Sequence, residues 1–148
     1  MEKIKKPVFR GVALVCDDNN MNVMVMCEHL KLIQLDVIVA TNGSEAVKMV
    51  CDRAQKSGND LKDAVAGHIN KQFDIIFMDI HMPVMSGVEA SLLINKIDSS
   101  IPIIAITTDN KFCEQLEFKD TGIVDYMGKP FTTQELWKIL LKYLKPVS

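Results

Sequence analysis

Ile75-Ile76-Phe77-Met78-Asp79 decides the reading of this chain: four apolar residues, two of them β-branched, closed by a carboxylate. A run this short, and apolar rather than alternating, suits a strand covered on both faces, as in parallel sheets. The pattern recurs upstream at Val12-Ala13-Leu14-Val15-Cys16, followed by Asp17-Asp18, and downstream at Ile103-Ile104-Ala105-Ile106, ending in Thr107. Ile123-Val124-Asp125-Tyr126-Met127 is followed closely by Lys129. In an open α/β sheet, ligand sites form beyond the carboxyl ends of the strands. Residues scattered from 17 to 129 are therefore expected to converge.

Around these runs the period changes. Strands are predicted near 11–16, 36–40, 73–78, 102–106 and 123–127, with stretches of helical period between them, which argues for β-α units and a mainly parallel sheet. The first helix should follow Asn19-Asn20 and bury Val23, Met26, Cys27, Leu30 and Ile33. A second is expected after Asn42-Gly43-Ser44, a third after Pro83 and Gly87, and a fourth over 110–120. Thr132-Thr133-Gln134-Glu135 reads as a capping box that opens the last helix. Ser57-Gly58-Asn59-Asp60 reads as a break, followed before Phe73 either by an extra helical turn or two or by a mobile surface loop, the two readings weighing equally. Met21, Met24 and Met26 are read as helix packing, and Trp137 as cover for the sheet or its edge.

With 148 residues the chain fits one domain: residues 1–10 as a tail or linker, 11–146 as the folded unit, and 51–72 as an extended connection. A net charge of -2, with Lys3, Lys5 and Lys6 as the only basic cluster, gives no basic face for nucleic acid. Those lysines read as a solvated leader. The absence of an apolar run of ~18 residues argues against membrane insertion, and the first residues lack the apolar middle of a secretory signal. Cys16, Cys27, Cys51 and Cys113 show no C-x-x-C spacing, so free buried thiols in a reducing compartment are expected, in the cytoplasm or on the cytoplasmic side of a larger receptor.

Three carboxylates, a hydroxyl and a lysine suit a divalent cation and a phosphoryl group. Carboxylates brought together repel by ~4 kcal/mol per pair at 4 Å and an effective dielectric near 20. Such a cluster calls for a raised pKa, a cation, or both. One lysine is too little for three acids, and a hard oxygen-seeking ion such as Mg²⁺ would balance the rest. A carboxylate can attack phosphorus to form an acyl phosphate, with the phosphoryl charge stabilised electrostatically. No nucleotide loop of either common type is present, so the expected donor is a phosphohistidine or a small phosphoryl compound.

Val15-Cys16-Asp17-Asp18-Asn19, Phe77 through Gly87, Ile104-Ala105-Ile106-Thr107-Thr108 and Gly128-Lys129-Pro130-Phe131 together resemble the signature segments of two-component receiver domains, in order, over about residues 11–145. The style is that of receivers attached to hybrid sensor histidine kinases. The resemblance implies a flavodoxin-like, doubly wound five-stranded parallel sheet in the order 2-1-3-4-5, with helices on both faces. It implies Asp79 as the phosphoacceptor, and Asp18, Asp79 and the backbone carbonyl of His81 as ligands of Mg²⁺, with Asp17 acting on the metal mainly through bound water and Mn²⁺ able to substitute; Thr107 and Lys129 would be partners of the phosphoryl group. Tyr126 would be the aromatic switch that moves with Thr107, and the Lys129-Pro130 bond would be cis. A sensor histidine kinase or a histidine phosphotransfer protein is the implied partner, with a phosphorylation-dependent dimer as a further expectation. The domain would assist its own phosphorylation and dephosphorylation.

Three positions depart from the pattern. Ser86 stands where the family usually has Asp and is expected to cap the next helix, His81 lies at the mouth, and Thr108 replaces a small residue beside Thr107. His29 and His68 sit in no recognisable donor motif. A pseudo-receiver that binds partners without phosphorylation is the rival reading, against which the intact Asp17, Asp18, Asp79, Thr107 and Lys129 count. An aspartate-nucleophile phosphatase ranks last, because residue 81 is His where such enzymes need a second Asp.

Overall fold

The computed structural model describes residues 4–56, 72–82, 84–108 and 121–147. The predicted helix over 110–120, the break and helical turns over 57–71, His68 and Cys113 lie outside them. Five strands, β1 (Val12–Cys16), β2 (Asp36–Ala40), β3 (Ile75–Asp79), β4 (Ile103–Thr107) and β5 (Ile123–Gly128), form one parallel sheet ordered β2-β1-β3-β4-β5. This is the flavodoxin-like order that the resemblance implies. The described helices are α1 (Asn20–Leu32), α2 (Gly43–Lys56), α3 (Gly87–Ile97) and α4 (Thr133–Tyr143).

Strand alternation divides the core in two. Leu14, Cys16, Ile76, Met78 and Ala105 point to the face covered by Ala46 and Val50 of α2 and Ala90 and Ile94 of α3. Ala13, Val15, Ile75, Phe77, Ile104 and Ile106 point the other way, against Met26 and Leu30 of α1 and Leu136, Ile139 and Leu140 of α4. Successive side chains leave a strand on opposite faces, so a strand buried twice must be apolar at every position. The residues of β1, β3 and β4 are all buried, whereas the outer strands β2 and β5 carry Asp36, Val124 and Asp125 at less buried positions.

Short polar side chains set the helix starts. Asn19 Oδ1 accepts from the N–H groups of Met21 and Asn22, Ser86 Oγ from Glu89 N–H at 3.2 Å, and Thr132 Oγ1 from Glu135 N–H at 3.1 Å. Asn42 Oδ1 accepts from Glu45 N–H at 2.8 Å, which places the start of α2 two residues earlier than predicted. Ser86 thus takes the capping role read from the sequence. At the other end of α1, Gln34 has φ 69°, with its N–H donating to Lys31 O and Leu35 N–H donating to Leu30 O. That is a Schellman closure with glutamine in the left-handed position where glycine is usual.

Two packing expectations are corrected: Val23 and Cys27, expected on the buried stripe of α1, are only half-buried, as is the Cys51 thiol, and the methionines divide. Met26 is buried, but Met21 and Met24 are 75% and 62% exposed. At 3.6 residues per turn they lie about 140° and 160° around the helix from Met26, on the face turned away from the sheet.

Candidate functional site

Three strand ends deliver the charged groups. Asp17 follows β1, Asp79 is the last residue of β3, and Lys129 follows β5. Asp17 and Asp79 are buried, while Asp18 faces solvent. One oxygen from each of Asp17, Asp18 and Asp79 lies within 4.8 Å of the others. Lys129 Nζ sits 3.0 Å from Asp17 Oδ2 and 3.2 Å from Asp79 Oδ2, so a single ammonium bridges both buried carboxylates.

The backbone fixes the remaining oxygens. Asn19 N–H donates to Asp17 Oδ1 at 2.9 Å and His81 N–H donates to Asp79 Oδ1 at 3.1 Å. The turn after β1 therefore aims Asp17 and starts α1 with the same residue, Asn19. Lys129 N–H donates to the carbonyl of Thr107 at 2.8 Å, tying the lysine loop to the end of β4. At Gly87 the chain comes so close to β3 that a Cβ would run into the carbonyl oxygen of Asp79. Only glycine lets α3 begin there.

The electrostatics are those of a cluster short of positive charge. Burial pushes the Asp79 carboxyl above its usual range; Lys129 pulls it down, and Asp17 pushes it up again. Among the described residues, three carboxylates against one ammonium leave surplus negative charge, and the donor atoms of the cluster are all oxygen. That set fits a small hard dication held by Asp17, Asp18 and Asp79. It does not include the neighbouring thiol: burial, reinforced by Asp17 and Asp79, pushes Cys16 up to about 12, and its Sγ donates to Asn42 O at 3.3 Å.

The other residues singled out from sequence occupy distinct places. Thr107 is fully buried, one residue beyond Ile106, the partner of Asp79 across the β3-β4 ladder. Tyr126 is half-buried opposite Ala105 and packs with the α2/α3 side of the core rather than among the carboxylates. The His81 ring is exposed and its main chain supports Asp79. The Lys129-Pro130 bond is cis. His29 packs its ring on Phe131, centroids 5.4 Å apart, joining α1 to the lysine loop. Beside this contact lies an apolar cavity of about 170 Å³, walled by Val25, Met26, Phe77, Ile106 and Phe131, with Lys129 at its edge. Sequence reasoning missed the cavity, since its wall draws on α1, β3, β4, the lysine loop and, through Val15, β1.

A 2-1-3-4-5 parallel sheet carrying an acidic cluster and a bridging lysine at its carboxyl edge defines the CheY-like class of α/β proteins. The sequence model of the response regulator receiver domain matches residues 13–141, and the chain belongs to that family of two-component signalling domains. It is 32% identical over 130 residues to two-component response regulator 24 of Arabidopsis thaliana, covering 88% of this chain and 81% of that protein. It is 28% identical over 149 residues to the peroxide stress-activated histidine kinase mak3 of Schizosaccharomyces pombe, where the match covers 97% of this chain and 6% of the kinase. Among solved structures, the receiver domain of a sensor histidine kinase from Pseudomonas aeruginosa, with magnesium coordinated in its active-site cleft, superposes with a TM-score of 0.72 at 25% identity, over 90% of this chain and 96% of that one. Among the described residues, no helix is long and apolar enough to cross a membrane.

Proposed function

We propose that this receiver, within residues 11–146, takes a phosphoryl group onto Asp79 from a phosphohistidine of a sensor kinase or a histidine phosphotransfer protein. The observation that carries the reading is the bridging of Asp17 and Asp79 by Lys129 at an oxygen cluster open on the Asp18 side. In the transfer, an oxygen of Asp79 forms a bond to phosphorus, the P–N bond of the donor breaks, and the released imidazole takes a proton. Asp17, Asp18 and Asp79 would hold Mg²⁺, with the carbonyl of His81 as a further ligand; when bound, the ion neutralises charge on the phosphoryl oxygens. Lys129 exchanges its carboxylate contact for a phosphoryl oxygen, and the Thr107 hydroxyl donates to another. Tyr126, on the strand beside Thr107, follows and alters the β5-α4 face, which is the switch, and a phosphorylation-dependent dimer is one form its output takes. A few kcal/mol of differential contact suffices to invert two such populations.

Incubation with Mg²⁺ and acetyl phosphate or phosphoramidate, followed by intact-mass measurement, tests this directly. One added phosphoryl group is expected, lost in Asp79→Asn and retained when Mn²⁺ replaces Mg²⁺. A mass unchanged under all donors would favour a receiver that works by contact alone.

A further inference from the structure

The segment ahead of β1 is more than a leader. Val147 N–H donates to Val8 O at 2.7 Å and Phe9 N–H donates to Ile33 O at 2.9 Å, beyond the carboxyl ends of α4 and α1. Phe9 is 2% exposed, within the cluster that α1 and α4 share, and Pro7 is also buried. Proline has no N–H, so its burial strands no donor. Lys5 and Lys6 do face solvent, as expected, but the backbone between them and β1 is docked.

The other end of this segment reaches the opposite end of α4. Gln134 accepts the N–H of Ile4 on Oε1 at 2.8 Å and donates from Nε2 to the Ile4 carbonyl at 3.2 Å. One side chain thereby satisfies both main-chain groups of a residue, as a neighbouring strand would. The geometry is consistent in length: four extended residue steps span about 13 Å, and α4 from Gln134 to Tyr143 rises about 14 Å. The segment therefore lies along α4 from its first turn, on the side of the carboxylates, to its last.

The first turn of α4 continues from Lys129-Pro130-Phe131-Thr132, with Phe131 braced on His29 of α1. We propose that Ile4–Phe9 and Gln134 form a clamp that holds this loop, making Gln134 a positioning residue for Lys129 and the N-terminal flank a means of tuning the site. Its effect on phosphorylation rests on the phosphoacceptor reading; its effect on the loop does not.

Hydrogen exchange on the full chain, read by mass spectrometry, tests the clamp in wild type, Gln134→Ala and Gln134→Glu. Gln134→Ala is expected to raise exchange about tenfold over residues 4–9 and 129–136 together, leaving β1 and β3 unchanged. Its phosphorylation by acetyl phosphate with Mg²⁺ should slow about threefold at an unaltered urea midpoint for the core, a change of about 0.65 kcal/mol in barrier. Gln134→Glu, which keeps the acceptor for Ile4 N–H, should fall between the two. Exchange that rises over 4–9 alone, or coupled exchange with an unchanged rate, overturns the proposal. A wild type that takes no phosphoryl group would overturn the phosphoacceptor reading, while the exchange comparison still decides whether the loop is clamped.

Discussion

Lys129 and Asp79 form one contact with opposite consequences for stability when either side is removed. Lys129 is the positive charge between two buried acids, and deleting one partner of a buried pair exposes the uncompensated remainder. Lys129→Met in metal-free buffer is expected to lower unfolding free energy by roughly 3–5 kcal/mol, the range for broken buried pairs. Asp79→Asn removes a carboxylate that burial and Asp17 already disfavour, so under the same conditions it should raise the urea midpoint. The pH dependence follows with a definite sign. A folded-state pKa above the unfolded value of about 3.8 means the native state holds its proton more tightly, so stability falls as pH rises through that interval. In EDTA, wild type should lose stability from pH 4 upward until Asp79 is fully ionised, and Asp79→Asn should lack that slope. A wild-type curve flat over the same range would contradict the assigned strain.

Helix ends carry the testable strain at the next scale. Gln34, at φ 69°, holds the left-handed position that closes α1. The left-handed conformation costs a non-glycine residue about 1–2 kcal/mol, while glycine adds about 0.4–1 kcal/mol of unfolded-state entropy. Gln34→Gly should therefore stabilise by a net ~0.5–1 kcal/mol in urea unfolding. Gly87→Ala should do the reverse, by about 1–3 kcal/mol for overpacking against the end of β3, and it should weaken Mg²⁺ binding in calorimetry because the Asp79 backbone must shift. The sequence announces these elements unevenly. Apolar runs mark β1, β3 and β4 because burial on both faces leaves no polar position. The bounds of β3 are harder: Phe73 is apolar and buried, so it reads as strand, yet the strand begins at Ile75 and runs on to Asp79. Hydrophobicity reports burial and not ladder pairing. Met21 and Met24 mislead for a related reason, since being apolar does not fix which side of α1 a residue occupies. The carboxylates and Lys129 were legible because strand ends put them on one edge. The Gln134–Ile4 pairing, 130 residues apart, has no local signature, and only the folded chain brings it together.

For the whole molecule the acid cluster is a stability debt concentrated at one edge of an otherwise well-buried sheet. The sheet is anchored from both sides by apolar clusters, so the repulsion is confined to that edge. Anything that binds the folded cluster and not the unfolded chain stabilises globally by mass action, about 2.7 kcal/mol at a hundredfold excess over Kd. For a chain of this size each kcal/mol corresponds to roughly 2–4 °C in Tm, so saturating Mg²⁺ should raise Tm by about 5–10 °C over EDTA. Removing the metal again with chelator should reverse the shift completely. The dependence should be specific to the oxygen cluster. Asp18→Ala, which removes the exposed member and leaves the Asp17–Lys129–Asp79 bridge, should keep the metal-free Tm near wild type while shrinking the Mg²⁺ shift to a fraction. An ionic-strength control with NaCl separates binding from screening, because Asp17 and Asp79 are buried and a monovalent salt reaches them poorly. An equal Tm rise in NaCl and in MgCl₂ at matched ionic strength would mean that screening, rather than coordination, relieves the cluster.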